Sequence, residues 1–305
     1  MVNTPLAERV CEAMLHNAGL FLRKAVEEIV GHDDTSDAAF DVDRATLVTV
    51  LIQMGVELVS TAIVLRTEGL ASIVKPKDLP VSTADAEARW AAGTIKTLTF
   101  EEIKLKAAKY FGDEGFWDII GQLQHSRNKL MHFHAPLDTG DRFDLKYDAT
   151  RVLVQVVLAL LRTDEYDFAY VAEALMGGEL YQRLLSFGPY RDRIAAQARE
   201  MERLPLRCPM CSIRTYLPNG EACIGCGWSG VLRLLTCPSC DERSVIYDHL
   251  NLPLNSWLNA VCGNCEWEGG VSHCHECDFD YTTEKYTRLE CPWIDDHDQR
   301  KVGKH

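Results

Sequence analysis

Eleven of the chain's twelve cysteines fall between Cys208 and Cys291, and ten of those form C-x-x-C pairs. The pairs are Cys208/Cys211, Cys223/Cys226, Cys237/Cys240, Cys262/Cys265 and Cys274/Cys277, with Cys291 alone after them. In such a turn two thiolates reach one tetrahedral cation while backbone N–H groups point at the sulfurs, and two turns close a four-sulfur site. The opening stretch MVNTPLAERVCEAM has no basic segment followed by an apolar run, so no secretory leader is expected. The dense thiols therefore read as metal ligands rather than disulfides, in a reducing compartment, the cytoplasm. Cys11, outside the cluster, reads as a small core residue.

The segment CPMCSIRTYLPNGEACIGCGW has eleven residues between its two turns, and CPSCDERSVIYDHLNLPLNSWLNAVCGNCEW has a longer insert between matching ends. Trp228 and Trp267 follow the second turns. Both segments resemble zinc ribbons, which implies small β-rich modules with closed four-cysteine sites. A third unit starts at Cys274/Cys277, with Cys291 left to serve it and a fourth ligand among His297, His273 and His275. Two to three zinc ions per chain are expected. Closed sites leave no coordination position for catalysis, so the metal is structural; at about 10–16 kcal/mol per site it supplies folding energy to a segment poor in large aliphatics. Such modules recruit a protein partner, or stack bases on Trp228, Trp257, Trp267 and Trp293.

Charge bears on that choice. The net charge of −13 divides into about −8 up to Leu204 and −5 beyond it. This excludes a protein that coats nucleic acid non-specifically, which needs many cationic phosphate contacts. A nucleic-acid site would have to be local.

The texture changes at Pro205, so two domains are expected, 1–204 and 205–305. Before the boundary the apolar residues follow a helical period. Leu6, Val10, Met14, Leu15, Leu22, Ala25 and Ile29 mark a helix over Pro5–Val30. Asp43 is the expected N-cap of a long apolar helix. Its core, TLVTVLIQMGVELVSTAIVL, is long enough for a bilayer, but Gln53 and Glu57 interrupt it and no aromatic or basic flanks mark interfaces. It reads as a buried bundle helix, and no membrane association is expected. Lys75–Gly93 reads as a loop. Thr99 and Glu102 form a capping box opening a helix through Tyr110. Further helices are expected from Glu114 to about His132, from about Asp148 to Arg162, and on through Arg199. The fold class is thus mainly α, an up-and-down helical bundle followed by small β-rich modules.

One stretch in the helical part carries chemistry, Gln124 to His134, QHSRNKLMHFH. Asn128 and His132 are four residues apart and share a helix face. Arg127 and His132 are five apart, about 140° around the axis and ~7.5 Å along it. Arg127-Asn128-x-x-x-His132, late in an apolar helix of an all-α segment, resembles the R-x4-6-H motif of the HEPN superfamily over roughly residues 1–165. His134 fits the longer register and is the alternative to His132.

The resemblance implies a homodimer whose two motifs face each other, acting as a metal-independent endoribonuclease on an RNA substrate, in the manner of a toxin or anti-phage defence effector. His132 would move the 2′-OH proton, Arg127 would stabilise the phosphorane, and Asn128 would orient His132 or hold the phosphate. Lys96, Lys104, Lys106, Lys109 and Lys129 are the nearest basic residues, as an RNA path or as a solvated face. Gln53 and Glu57 either support the site from across the bundle or lie on an exposed face. The alternative is a non-catalytic HEPN dimer whose zinc ribbons bind protein or nucleic acid; a zinc-ribbon regulator with a helical dimerisation domain is a third reading.

Overall fold

The computed structural model describes residues 5–30, 40–111, 115–133, 138–163, 168–202, 205–208, 210–220, 222–229, 232–248, 257–275 and 278–283. They form two compact units, Met1–Tyr190 and Arg191–His305.

The first unit is helical because its apolar residues recur every three or four positions. Helix α1 (Pro5–Val30) buries Leu6, Val10, Cys11, Ala18, Leu22, Ala25 and Ile29; Met14 and Leu15 stay half-exposed. Helix α2 (Val42–Glu68) is capped by Asp41, whose carboxylate accepts the Arg44 N–H at 2.9 Å. The cap is therefore two residues before Asp43, which sits in the first turn, where its charge also suits the helix dipole. α2 is apolar on nearly every side because it runs between α1, α4 (Phe100–Phe111), α5 (Phe116–Phe133) and α6 (Thr139–Leu161). It is the one described helix apolar and long enough to cross a bilayer, and 61% of its most apolar window is buried inside the protein.

The stretch Lys75–Gly93 is more ordered than expected. A 3-10 turn (Pro76–Asp78) precedes helix α3 (Thr83–Ala91). Ser82 accepts the Asp85 N–H at 3.1 Å and Asp85 accepts the Val81 N–H at 3.1 Å, so reciprocal capping starts a helix that two prolines had obscured. The capping box at α4 forms as expected, Glu102 accepting the Thr99 N–H at 2.7 Å. α6 starts well before Asp148, at a cap where Asp138 accepts the Asp141 N–H at 2.8 Å. Its first turns are too polar to show an apolar stripe. Phe111 stacks on Phe116 at 4.3 Å with Trp117 edge-on to both, which closes the α4–α5 corner. Helices α7 (Phe168–Met176) and α8 (Gly178–Leu185) follow, and α9 (Gly188–Met201) starts at the end of this unit and lies mostly in the second.

The second unit is β-rich. Strands β1 (Leu206–Arg207), β2 (Arg214–Leu217) and β3 (Ala222–Cys223) make a small antiparallel sheet in that order. Strands β4 (Leu232–Thr236), β5 (Arg243–Asp248), β6 (Leu258–Cys262), β7 (Glu268–Cys274) and β8 (Phe279–Thr283) make an antiparallel meander. Arg233 on β4 pairs at 3.3 Å with Asp280 on β8, linking the first strand to the last. The meander's main core is Cys237, Val245, Tyr247, Ala260, Cys262 and Val271. Two of those six are thiols, so apolar burial here is thin and a cross-link of some kind must add to it.

Candidate functional site

The β-rich unit gathers eight of its cysteines into two groups, Cys208/Cys211/Cys223/Cys226 and Cys237/Cys240/Cys262/Cys265, with all sulfurs of each group within 4.8 Å of one another. The pairs Cys208–Cys226, Cys211–Cys223, Cys237–Cys265 and Cys240–Cys262 all stand at 3.7 Å. That is far beyond a disulfide bond. It matches the edge of about 3.8 Å that a tetrahedron with metal–sulfur bonds near 2.3 Å requires. The residues present thus fit a tetrahedral thiolate-bound metal.

Local geometry explains why the sulfurs converge. Ser212, Gly227 and Asp241 each follow a C-x-x-C pair with φ of 58°, 84° and 60°. Each returns its N–H to the first cysteine's carbonyl, at 2.9, 2.9 and 3.0 Å. This left-handed step folds the turn so that both side chains leave on one side. The Met210 N–H points at the Cys208 sulfur (3.4 Å), the Ser239 N–H at Cys237 (3.4 Å), and the Trp228 and Trp267 N–H groups at Cys226 and Cys265 (3.5 and 3.4 Å). In both groups the tryptophan carbonyl accepts the N–H of the cysteine that opens the second turn.

Electrostatics point the same way. Burial pushes the Cys208 and Cys226 thiols far up, and Cys237 up to about 12. Hydrogen bonds from Cys208, Cys223 and Cys226 pull Cys211 strongly down. Burial opposes ionisation of Cys262, yet Ser244 Oγ and the N–H groups of Cys265 and Asn264 outweigh it and bring the thiol to about 6. A divalent metal held among four such sulfurs would favour the thiolate form of all of them.

Two hydroxyls were missed in reading the sequence. Thr215 Oγ1 lies 3.1 Å from the Cys223 sulfur and Ser244 Oγ 3.0 Å from Cys262. Their signal is an internal repeat, CPMCSIRT beside CPSCDERS, which puts a hydroxyl residue four places after the second cysteine in each. Gly225 permits the first contact, since a Cβ there would sit 2.5 Å from Thr215 Oγ1.

Cys274 opens a turn of the same kind. Asp278 has φ 55° and returns its N–H to the Cys274 carbonyl at 2.8 Å. Cys277, Cys291 and His297 lie outside the described residues. Of the other candidate ligands, His273 has Nδ1 2.8 Å from Asp280 and Nε2 3.5 Å from Asp278, so both ring nitrogens face carboxylates. His275 is exposed, its ring edge-on to His273 at 4.9 Å. Asp280 also takes the Tyr247 hydroxyl and the Arg233 guanidinium. Burial opposes the Asp280 charge, but these donors hold its carboxyl below the usual range, while burial and the Asp280 carboxylate push the Tyr247 phenol up.

The tryptophans named as stacking platforms are not free faces. Trp228 is half-buried against Tyr216 at 6.0 Å, Trp267 packs on the meander core, and Trp257 is half-buried. Trp293 lies outside the described residues.

In the helical unit α5 buries Phe116, Ile119, Ile120, Leu123 and Leu130, leaving Arg127 half-buried and Asn128 exposed. Arg127 bridges two helices. Its Nη1 donates to Gln53 on α2, and its Nε and Nη2 fork onto Asn128 Oδ1 at 3.2 and 2.9 Å. Gln53 is therefore a partner of Arg127 rather than one residue of an exposed face. Glu57, one turn further along α2, is largely exposed yet feels enough desolvation to raise its carboxyl above the ordinary range. His132 is in the last turn of α5; His134 lies outside the described residues. Of the nearby lysines, Lys106 and Lys109 pair with Glu68 at 3.9 and 2.9 Å, and Lys104 lies over the Trp117 ring at 5.6 Å. Lys96 and Lys129 are exposed.

Comparisons with protein-family models, with curated proteins and with solved structures returned no match.

Proposed function

We propose that the helical unit is a HEPN-type endoribonuclease and that the two four-cysteine groups hold structural zinc in a cytoplasmic protein. The zinc reading is supported by the 3.7 Å sulfur edges. The nuclease reading is carried by Arg127, a half-buried guanidinium held from α2 by Gln53 and turned onto Asn128 in the helix that also bears His132.

In this reaction the ribose 2′-oxygen attacks phosphorus as a base takes its proton, the 5′-oxygen leaves with a proton, and a 2′,3′-cyclic phosphate remains. His132 has the right ordinary pKa for either transfer. Arg127 meets the charge that develops on the phosphorane, and forked donors serve that task better than a single ammonium. Asn128 holds Arg127 and would orient His132 or hold the phosphate. A two-fold dimer would juxtapose two such sets. Leu47 and Met54 on α2, 41% and 42% exposed beside Gln53, offer the apolar surface it needs.

The test is cleavage of unstructured RNA with detection of cyclic-phosphate ends. His132→Ala and Arg127→Ala are each expected to lower cleavage about 10²–10⁴-fold, and a 2′-deoxy substitution at the scissile position to abolish it. Loss with His134→Ala instead would move the site to the longer register, and insensitivity to all three would overturn it. Growth arrest on expression, relieved by Arg127→Ala, would support a toxin or defence role.

A second reading, a non-catalytic dimer whose zinc modules bind a protein partner, is favoured by a different observation. The Arg127 donors are engaged within the protein, Lys106 and Lys109 pair with Glu68, and the chain carries −13 overall. Absence of cleavage with an intact dimer would select it.

A further inference from the structure

We propose that the first cysteine module supplies part of the outer coordination sphere of the second module's metal, through Arg207 and Arg214, so that how firmly the second metal is held depends on the first module. This rests on the zinc reading above.

The turn from Cys262 to Cys265 leans on residues of the neighbouring module. The Gly263 carbonyl accepts the Arg207 N–H at 3.1 Å, the Asn264 carbonyl accepts Arg214 Nη2 at 2.7 Å, and the Cys265 carbonyl accepts Arg207 Nη2 at 3.3 Å. Three successive carbonyls of one turn are thus held from outside it. Arg207 and Arg214 are directly paired across β1 and β2, so one two-residue platform supplies all three donors.

The peptide units concerned are the ones that touch the ligand. The peptide whose carbonyl is Gly263 has as its N–H that of Asn264, which points at the Cys262 sulfur at 3.3 Å. The next peptide, with the Asn264 carbonyl, presents the Cys265 N–H to the same sulfur at 3.2 Å. A donor on a peptide oxygen polarises that peptide's N–H, and the effect is larger when the donor is cationic. The Arg214 guanidinium on the Asn264 carbonyl therefore strengthens the Cys265 N–H···S contact, and the Arg207 main-chain N–H on the Gly263 carbonyl strengthens that of Asn264, neither touching the sulfur. Four thiolates around a divalent ion leave a net charge of −2, so two guanidiniums next to the cage also offset it.

Steric fit makes the dock specific. A Cβ at Gly263 would lie 2.5 Å from Leu206 Cβ, and Leu206 is only 3% exposed, so β1 closes on this turn only if the residue is glycine.

The experiment loads the full chain with zinc and follows its release to a chromophoric chelator in excess. Wild type and the variants Arg214→Gln, Arg207→Gln and Gly263→Ala are compared, with helical circular dichroism as the check that the chain is folded. Each variant is expected to accelerate release of one zinc equivalent about 10–100-fold, the usual effect of losing an outer-sphere partner, and to leave the other equivalent unchanged. In a Cys237→Ser/Cys262→Ser background, which retains the first site, Arg214→Gln should change nothing. Cys208→Ser, which disables the first site, should accelerate zinc release from the second. Equal acceleration of both equivalents, or insensitivity of both to Arg214→Gln and Gly263→Ala, would overturn the coupling. Wild-type protein without bound zinc would overturn the metal reading itself, and so separates the two failures.

Discussion

Replacing Gly55 with alanine inserts one methyl where α2 meets α1. The new Cβ would lie 2.4 Å from Leu22 Cδ2 and 2.6 Å from its Cγ, and Leu22 is fully buried. A buried leucine met at Cγ cannot simply swing its tip away, so a helix or a rotamer must give; overpacking of this kind costs about 1–3 kcal/mol. Alanine returns about 0.8–1 kcal/mol over glycine within a helix. The net expectation is a loss of about 1 kcal/mol. Leu22→Ala alone opens a cavity and should cost about 2–5 kcal/mol. In that background the Gly55→Ala methyl meets no clash and fills part of the hole, so it should stabilise by about 1 kcal/mol. The sign therefore reverses, and the double-mutant cycle should report a coupling of about 2 kcal/mol. Urea unfolding followed by helical circular dichroism measures all four proteins, with the slope against denaturant as a check that the unfolding unit is unchanged. Equal destabilisation by Gly55→Ala in both backgrounds would refute the contact, and with it the close approach of α1 and α2 at this point.

Glu57→Gln should stabilise the helical unit at pH 7. Desolvation raises the folded carboxyl above its unfolded value, so the ionised group opposes folding at neutral pH and that opposition fades as pH falls through the folded and then the unfolded value; the variant's advantage in urea midpoint should shrink to nothing by about pH 4, and an advantage that grows on acidification would refute the assignment. Tyr247→Phe withdraws a donor from the buried Asp280 carboxylate and should cost the zinc-loaded β-rich unit about 1–3 kcal/mol in denaturant unfolding read by near-ultraviolet circular dichroism. Asp280→Asn in the Tyr247→Phe background should restore part of that, because a neutral amide demands less of its surroundings than a buried carboxylate that has lost one of its donors.

What could be read in advance was whatever depends on short chain separations. The C-x-x-C spacing names its ligands because four residues suffice to build the turn, and the capping box at Thr99 and Glu102 is likewise closed within four. Helix α3 escaped because Pro76 and Pro80 mask a start that depends on Ser82 and Asp85, and the first turns of α6 escaped because they carry no continuous apolar stripe. The Gln53–Arg127 bridge joins residues 74 apart in the chain, and the Arg214–Asn264 bridge residues 50 apart. No periodicity announces either. Nor does an aromatic residue beside a cysteine turn say how exposed its ring will be: Trp228 packs against Tyr216 and Trp267 against the meander core, so both are half-buried.

The Arg233–Asp280 pair has a consequence beyond its own two strands. An open meander exposes an unpaired row of N–H and C=O groups at each end, and such rows can recruit strands from other molecules. The pair holds those two end strands near one another, and the exposed Arg233 side chain puts a charge on the β4 edge, one of the devices by which such edges are kept from pairing with other chains.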